Sequence, residues 1–174
     1  QDKGGDENWR VYSLNLTTGE TTDLTPLEGV HAQIQEVSQR HPEEIIVALN
    51  DRDPQFHDLY RININTGKRS LVEMNKGFAG FVTDDDYNVR LALRMTSDGG
   101  SEILKASDTG AWEPFAKIEM EDVMTTQPLG FDKTGRVLYM IDSRERDTAA
   151  MVFFNMDTDE ETTIAEDARA DASG

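Results

Sequence analysis

Three histidines, one glycine-serine cluster, two acidic clusters and a few arginines are the residues of this chain best able to do chemistry. His31, His41 and His57 stand 10 and 16 residues apart, which is not the HExxH spacing that puts two imidazoles on one helical face around a metal. Each reads as a loop or strand-edge residue. Ser97, Asp98, Gly99, Gly100 and Ser101 lack the GxSxG order of a nucleophile elbow, and no helical pattern follows them, so they read as a turn between strands. Asp2 with Asp6 and Glu7, and the run Asp84 to Asp86, invite a calcium reading. A hard cation wants about six to eight converging oxygens, and neither cluster matches the alternating EF-hand loop. Asp84 to Asp86 is expected to be a solvated turn ended by Asn88. No catalytic residue, metal ligand or cofactor is expected on the chain.

The arginines are the remaining candidates. Arg52 lies in NDRDPQFH (50–57), and Arg144 and Arg146 lie in DSRERDT (142–148). A forked guanidinium on a loop suits a carboxylate of a ligand or of a partner domain. A local ion pair, such as Arg52 with Asp51 or Asp53, is the competing reading.

The elements that must position these loops follow from a repeat. VYSLNLTTGETTDL (11–24), LYRININTGKRSLV (59–72), a degenerate EILKASDTGAWEPF (102–115) and MVFFNMDTDEETTI (151–164) share one pattern, and their anchors Thr18, Thr66, Thr109 and Thr158 are 48, 43 and 49 residues apart. A strand-rich recurrence of about forty residues marks a β-propeller blade. Tyr12, Leu14 and Leu16 alternate with Ser13 and Asn15, as Tyr60, Ile62 and Ile64 do with Arg61 and Asn63, which predicts half-buried strands. Gly19, Gly67 and Gly110 supply the positive φ of a tight hairpin, with Asp159 as substitute in the fourth copy. The threonine-rich second arms are expected to be outer strands with one wet edge.

Between the hairpins lie short apolar pairs, 33–37 with 44–49, 78–82 with 89–93, and 129–131 with 136–141, broken by turn signals. They read as the inner strands of each blade. The predicted fold is thus all-β, a partial β-propeller of about three and a half four-stranded antiparallel blades: an outer strand pair over 9–25, and blades near 31–74, 77–117 and 127–166. The tail 167–174 is either the start of a further inner strand or a disordered end. Loops 26–31, 50–57, 96–101, 119–126 and 142–148 are expected to share one face. A ring typically holds about 4 to 8 blades, so this count is short of one. The reading is a piece of a longer protein, with exposed strand edges prone to self-association.

Composition narrows the partners. Among 174 residues, 34 are acidic and 17 basic, giving a formal charge of −17 that opposes the approach of phosphate backbones; nucleic acid is not an expected partner. The charge reads either as a solvated, aggregation-resistant surface or as an acidic face for cationic peptides. Mean hydropathy of −0.60 and the lack of any run near the ~18 apolar residues of a membrane helix exclude a membrane span of that kind. There is no cysteine, so disulfides and thiolate metal sites are excluded, while the compartment stays open.

Four ordered segments carry a family resemblance: GDENWRVYSLNLTTGETTDLTP (5–26), NDRDPQFHDLYRININTG (50–67), PLGFDKTGRVLYMIDSRERDTAAM (128–151) and AEDARAD (165–171). Together they resemble the N-terminal propeller of the prolyl oligopeptidase family of serine peptidases, in particular its acylaminoacyl-peptidase and dipeptidyl-peptidase-like members. Single blade motifs are less specific, since TolB-like propellers share them. The resemblance implies a propeller that caps an α/β-hydrolase domain and restricts the entry of peptides, with the catalytic Ser, Asp and His all on the hydrolase. It therefore implies a non-catalytic gating segment whose partners are that hydrolase domain and the peptide substrates. A TolB-like protein-binding module and a half-propeller that dimerises into a ring are the alternatives.

Overall fold

The computed structural model describes residues 1–2, 4–107 and 109–173, and within them every regular element is a β-strand. No helix is long and apolar enough to cross a membrane. The chain divides into two compact units, Gln1–Gly77 and Phe78–Gly174. In the first, β1 (Tyr12–Leu14) and β2 (Thr21–Asp23) form a two-stranded sheet, and β3 (Ala32–Val37), β4 (Glu44–Asp53), β5 (Phe56–Asn63) and β6 (Arg69–Glu73) form a four-stranded one. In the second, β7 (Gly80–Thr83), β8 (Val89–Met95), β9 (Ser101–Ala106) and β10 (Trp112–Ile118) make one four-stranded sheet. The other contains β11 (Gln127–Phe131), β12 (Val137–Asp142), β13 (Ala150–Asn155) and β14 (Glu160–Ala165). Every sheet is an antiparallel meander in chain order, as in a propeller blade. Three full sheets and one lone pair give the three and a half blades expected from the repeat.

The repeated hairpin turn is built from within. In the first copy the Asn15 side-chain oxygen accepts from the amides of Thr17 and Thr18 at 2.9 and 3.1 Å, while Gly19 donates to the Asn15 carbonyl at 2.7 Å. Asn63 does the same for Asn65, Thr66 and Gly67, and Asn155 for Asp157 and Asp159. An asparagine side chain thereby mimics a backbone turn. The residue four places on must be left-handed: Gly67 has φ 69°, and Asp159 takes the same region at 56°. In the third copy Ser107 stands in for the asparagine, its hydroxyl accepting from Ala111; Asp108 beside it lies outside the described residues, as does Gly174.

Each unit has its own core. Leu91 and Ile103 from one sheet pack with Leu138, Met140 and Val152 from the other in the second unit. In the first, Val11 and Leu24 flanking the lone hairpin pack onto Ala32, Val47, Leu49 and Ile62. The second unit also depends on a close approach at Gly100, where a Cβ would lie 2.5 Å from the Ile118 carbonyl oxygen. Gly100→Ala is accordingly expected to destabilise this unit by about 1–3 kcal/mol through forced separation of β9 from β10. Urea unfolding followed by Trp112 fluorescence measures it; an unchanged midpoint would show that the pair separates without cost.

Several sequence expectations need correction. The alternation at Tyr12, Leu14 and Leu16 does not yield a half-buried strand: Leu14 is 57% and Leu16 92% exposed, β1 ends at Leu14, and the hairpin's core contacts are made by Val11 and Leu24. The segment 50–57 is less a loop than a hairpin end, because β4 runs on to Asp53 and only Pro54 and Gln55 turn before β5. Asp84 is not solvated. It is buried, accepting from the amides of Asp86 and Asn88 and from Arg90, which also donates to the Gly135 carbonyl at 2.9 Å and lies over the Phe131 ring. The described tail residues 167–173 form neither a strand nor a loose end: Asp171 accepts from the Ala149 amide at 2.8 Å, and Ala172 donates to the Ala149 carbonyl at 2.8 Å.

Candidate functional site

Arg52 and Arg144 occupy the same place in their blades, eleven residues before the turn asparagines Asn63 and Asn155. Each is held by a buried aspartate. Arg52 donates through Nε and Nη2 to both oxygens of Asp58, at 2.7 and 2.8 Å, and through Nη2 to the Asn75 carbonyl at 2.7 Å. The partner is thus neither Asp51 nor Asp53, because Asp58 faces it across the β4–β5 hairpin. Those Arg52 bonds, joined by one from the Asn75 amide, hold the Asp58 carboxyl below its ordinary value against the opposing pull of burial. Arg144 instead folds back onto Asp142, with Nε 2.9 Å from Oδ1, and the Arg144 amide donates to the same oxygen at 3.0 Å.

Arg144 and Arg146 meet in the second unit, in an open cleft of about 820 Å³. Its walls are the loops 119–126 and 142–148, joined by a hydroxyl network in which Ser143 donates to Asp122 at 2.6 Å and lies 2.7 Å from the Thr125 hydroxyl. Arg146 reaches Glu161 at 3.0 Å and Glu166 at 3.4 Å. Lys117 pairs with Glu119 at 2.7 Å. Six carboxylates face three cations in this lining, so the arginines do not make the cleft positive; it stays net acidic. The expectation that these arginines present their forks to an outside carboxylate meets a geometry in which both forks already hold carboxylates of the chain. The aspartate partners Asp58 and Asp142 were missed in the sequence, although an acid six residues after Arg52 and one two residues before Arg144 were visible there.

Burial pushes the Asp142 carboxyl up, and the bonds from the Arg144 side chain and amide outweigh it, bringing the group below its ordinary value. Its stabilising contribution is therefore present above the unfolded value of about 3.9 and lost as pH falls through the folded one. In Arg144→Gln burial acts with less opposition, so the carboxyl rises. The thermal midpoint gap between the two proteins is expected to be wider at pH 7 than at pH 4; equal gaps would show that Arg144 does not hold the carboxylate ionised.

The described residues hold no cluster of three or more His, Asp or Glu fit for a metal. Ser143 is bonded to a carboxylate and to threonine hydroxyls. No described histidine is among its partners. Over its whole length the chain is 43% identical to dipeptidyl aminopeptidase BIII of Pseudoxanthomonas mexicana. The chain is a partial propeller related to the dipeptidyl peptidases. A second relative, dipeptidyl peptidase family member 6 of Caenorhabditis elegans, is 29% identical over 94% of the chain. The chain spans about a quarter of the length of these curated relatives. No protein-family model matches it. Among solved structures, TolB from Acinetobacter baumannii superposes over 92% of the chain and 38% of its own with a TM-score of 0.61 at 12% identity. The β-propeller domain of the Trilobed protease from Pyrococcus furiosus does so over 79% of the chain and 43% of its own, with a TM-score of 0.51 at 13% identity. Both show the propeller fold alone. The family resemblance read from the four ordered segments is upheld by the peptidase relatives.

Proposed function

We propose that the chain is a non-catalytic part of the propeller of a serine peptidase, controlling which peptides reach a hydrolase domain carried elsewhere in the same polypeptide. The observation that carries this reading is whole-length identity of 43% to a dipeptidyl aminopeptidase, confined to a quarter of that protein. The fold fits it: within each unit antiparallel meanders carry face loops that can be tuned without disturbing the sheets. The acidic cleft would favour cationic groups on an approaching peptide and slow acidic ones. Arg52, Arg144 and Arg146 serve here as positioning residues that fix the face loops through Asp58, Asp142 and Glu161.

The test compares two proteins on a chromogenic dipeptidyl substrate. Residues 1–174 are expected to release no product, and the longer polypeptide encoded with them is expected to release it in a reaction blocked by a serine-directed reagent. Cleavage by residues 1–174 alone with the same inhibition would overturn the reading. A longer polypeptide with no such activity would favour a protein-binding module instead. A stable dimer of residues 1–174 in light scattering would favour a self-completing half ring.

A further inference from the structure

In the first unit the imidazoles of His31 and His57 face each other. His31 Nδ1 lies 3.1 Å from His57 Nε2, and the rings meet edge to face at 87°. One ring must donate and the other accept, so the bond needs at least one of the two facing nitrogens without a proton. It survives with both rings neutral or with one charged. With both charged, two N–H groups and two positive charges point at each other.

The bond sits where the first hairpin joins the sheet that follows it. The His31 amide donates to the Asn50 side chain at 2.7 Å, and the next amide, Ala32, donates to the Trp9 carbonyl at 2.8 Å. His57 is the second residue of β5, and its carbonyl accepts from the Asn75 side chain at 3.2 Å. The charged groups around the pair come from several elements. Asp58 on β5 favours the cation but is engaged by Arg52 of β4. The Gln1 residue and Arg10 line the pocket next to His31, and Arg10 is held by Asp23 at 3.0 Å. Burial and the neighbouring His31 push the His57 imidazole down, with Asp58 opposing.

We propose that His31 and His57 form a proton-operated latch: arrival of the second proton breaks their bond and frees the β1–β2 hairpin with the entry to β3 from the β3–β6 sheet. The sign follows from the lowered imidazole. A base that is harder to protonate in the fold stabilises it above its unfolded value of about 6.5 and loses that contribution as pH falls through the folded one. The hairpin is the element to open, because it forms a two-stranded sheet anchored to the following one through Val11 and Leu24 and through the Ala32–Trp9 bond.

Amide hydrogen exchange on the 174-residue chain, corrected for the intrinsic pH dependence of exchange, tests this. Protection at Leu24, His31 and Ala32 is expected to fall at least tenfold between pH 7.5 and pH 5.0, while Leu104 in the second unit changes little. In His57→Gln, which keeps a hydrogen-bonding side chain that does not titrate, protection at those amides is expected to be flat with pH; His41→Gln is expected to behave as the native chain. A native chain without the fall, or a His57→Gln chain with the same fall, overturns the proposal. Imidazole titration by nuclear magnetic resonance is the second readout: the His57 step is expected below its ordinary value, and a His57 step at the ordinary value overturns the proposal.

Discussion

Asp58→Ala is expected to cost the first unit about 3 kcal/mol. The carboxylate is 1% exposed and serves three donors at once: Nε and Nη2 of Arg52 and the Asn75 amide. Removing it takes an acceptor from the buried Asn75 amide, a loss of about 1–3 kcal/mol, and takes two of the bonds that hold the Arg52 guanidinium. Arg52 keeps some access to solvent and swings out in part, which holds the total near the lower end for a broken buried pair. Asp58→Asn retains one acceptor oxygen and is expected to lose about half as much. Trp9 reports on the first unit and Trp112 on the second, so urea unfolding at each emission change should show the loss at Trp9 alone. The carboxyl is held below its ordinary value, so the difference between native and Asn proteins should persist above about pH 4 and shrink as pH falls through the folded value. A loss seen equally at both probes, or none, would mean that Asp58 is not the keystone of the β4–β5 hairpin.

The second large effect is a contrast between two residues that the repeat makes equivalent. Leu14 and Ile62 are 48 residues apart, the spacing of the anchors Thr18 and Thr66. Ile62 is fully buried against Val47 and Leu49, whereas Leu14 is 57% exposed. Ile62→Ala removes three methyl or methylene groups and leaves a cavity, for an expected loss of about 2–5 kcal/mol. Leu14→Ala is expected to change stability by no more than about 0.5 kcal/mol. If in a longer polypeptide the first hairpin gains a covering sheet, Leu14→Ala should there become as costly as Ile62→Ala. A large loss at Leu14 in the 174-residue chain would contradict the exposure described.

That contrast also marks how far the sequence could be read. Alternation at Tyr12, Leu14 and Leu16 and at Tyr60, Ile62 and Ile64 correctly announced two strands, since side chains on a strand point to opposite faces whatever lies beyond them. It could not announce burial, which depends on a neighbour that the local pattern does not encode. The turns were legible because Gly19, Gly67 and Gly110 satisfy a local demand for positive φ, and even Asp159 was identified as their substitute. The asparagines that clamp those turns went unread, although Asn15, Asn63 and Asn155 recur in the same register. Of the five loops expected to share a face, 119–126 and 142–148 meet in the second unit, but the partners of the arginines were not read. Asp58 pairs with Arg52 across a hairpin end that the sequence shows as a polar loop, and bond geometry there follows from strand register. Asp84 was misread for the opposite reason: a run of three acids looks wet, yet one member of it turns inward to accept four donors from Asp86, Asn88 and Arg90.

In three of the four copies an asparagine clamp closes the hairpin with bonds drawn from its own five residues, as in Asn15 to Gly19 and Asn63 to Gly67. Each of these turns thereby carries its own shape whichever loops grow at the other end of the sheet, while in the fourth copy Asp159 also takes an ion pair at 3.2 Å from Lys105 of the neighbouring sheet. Substitutions, insertions and changes of specificity can accumulate on the loop face while the opposite rim keeps its form, and a hairpin moved from one blade to another would bring its turn with it intact.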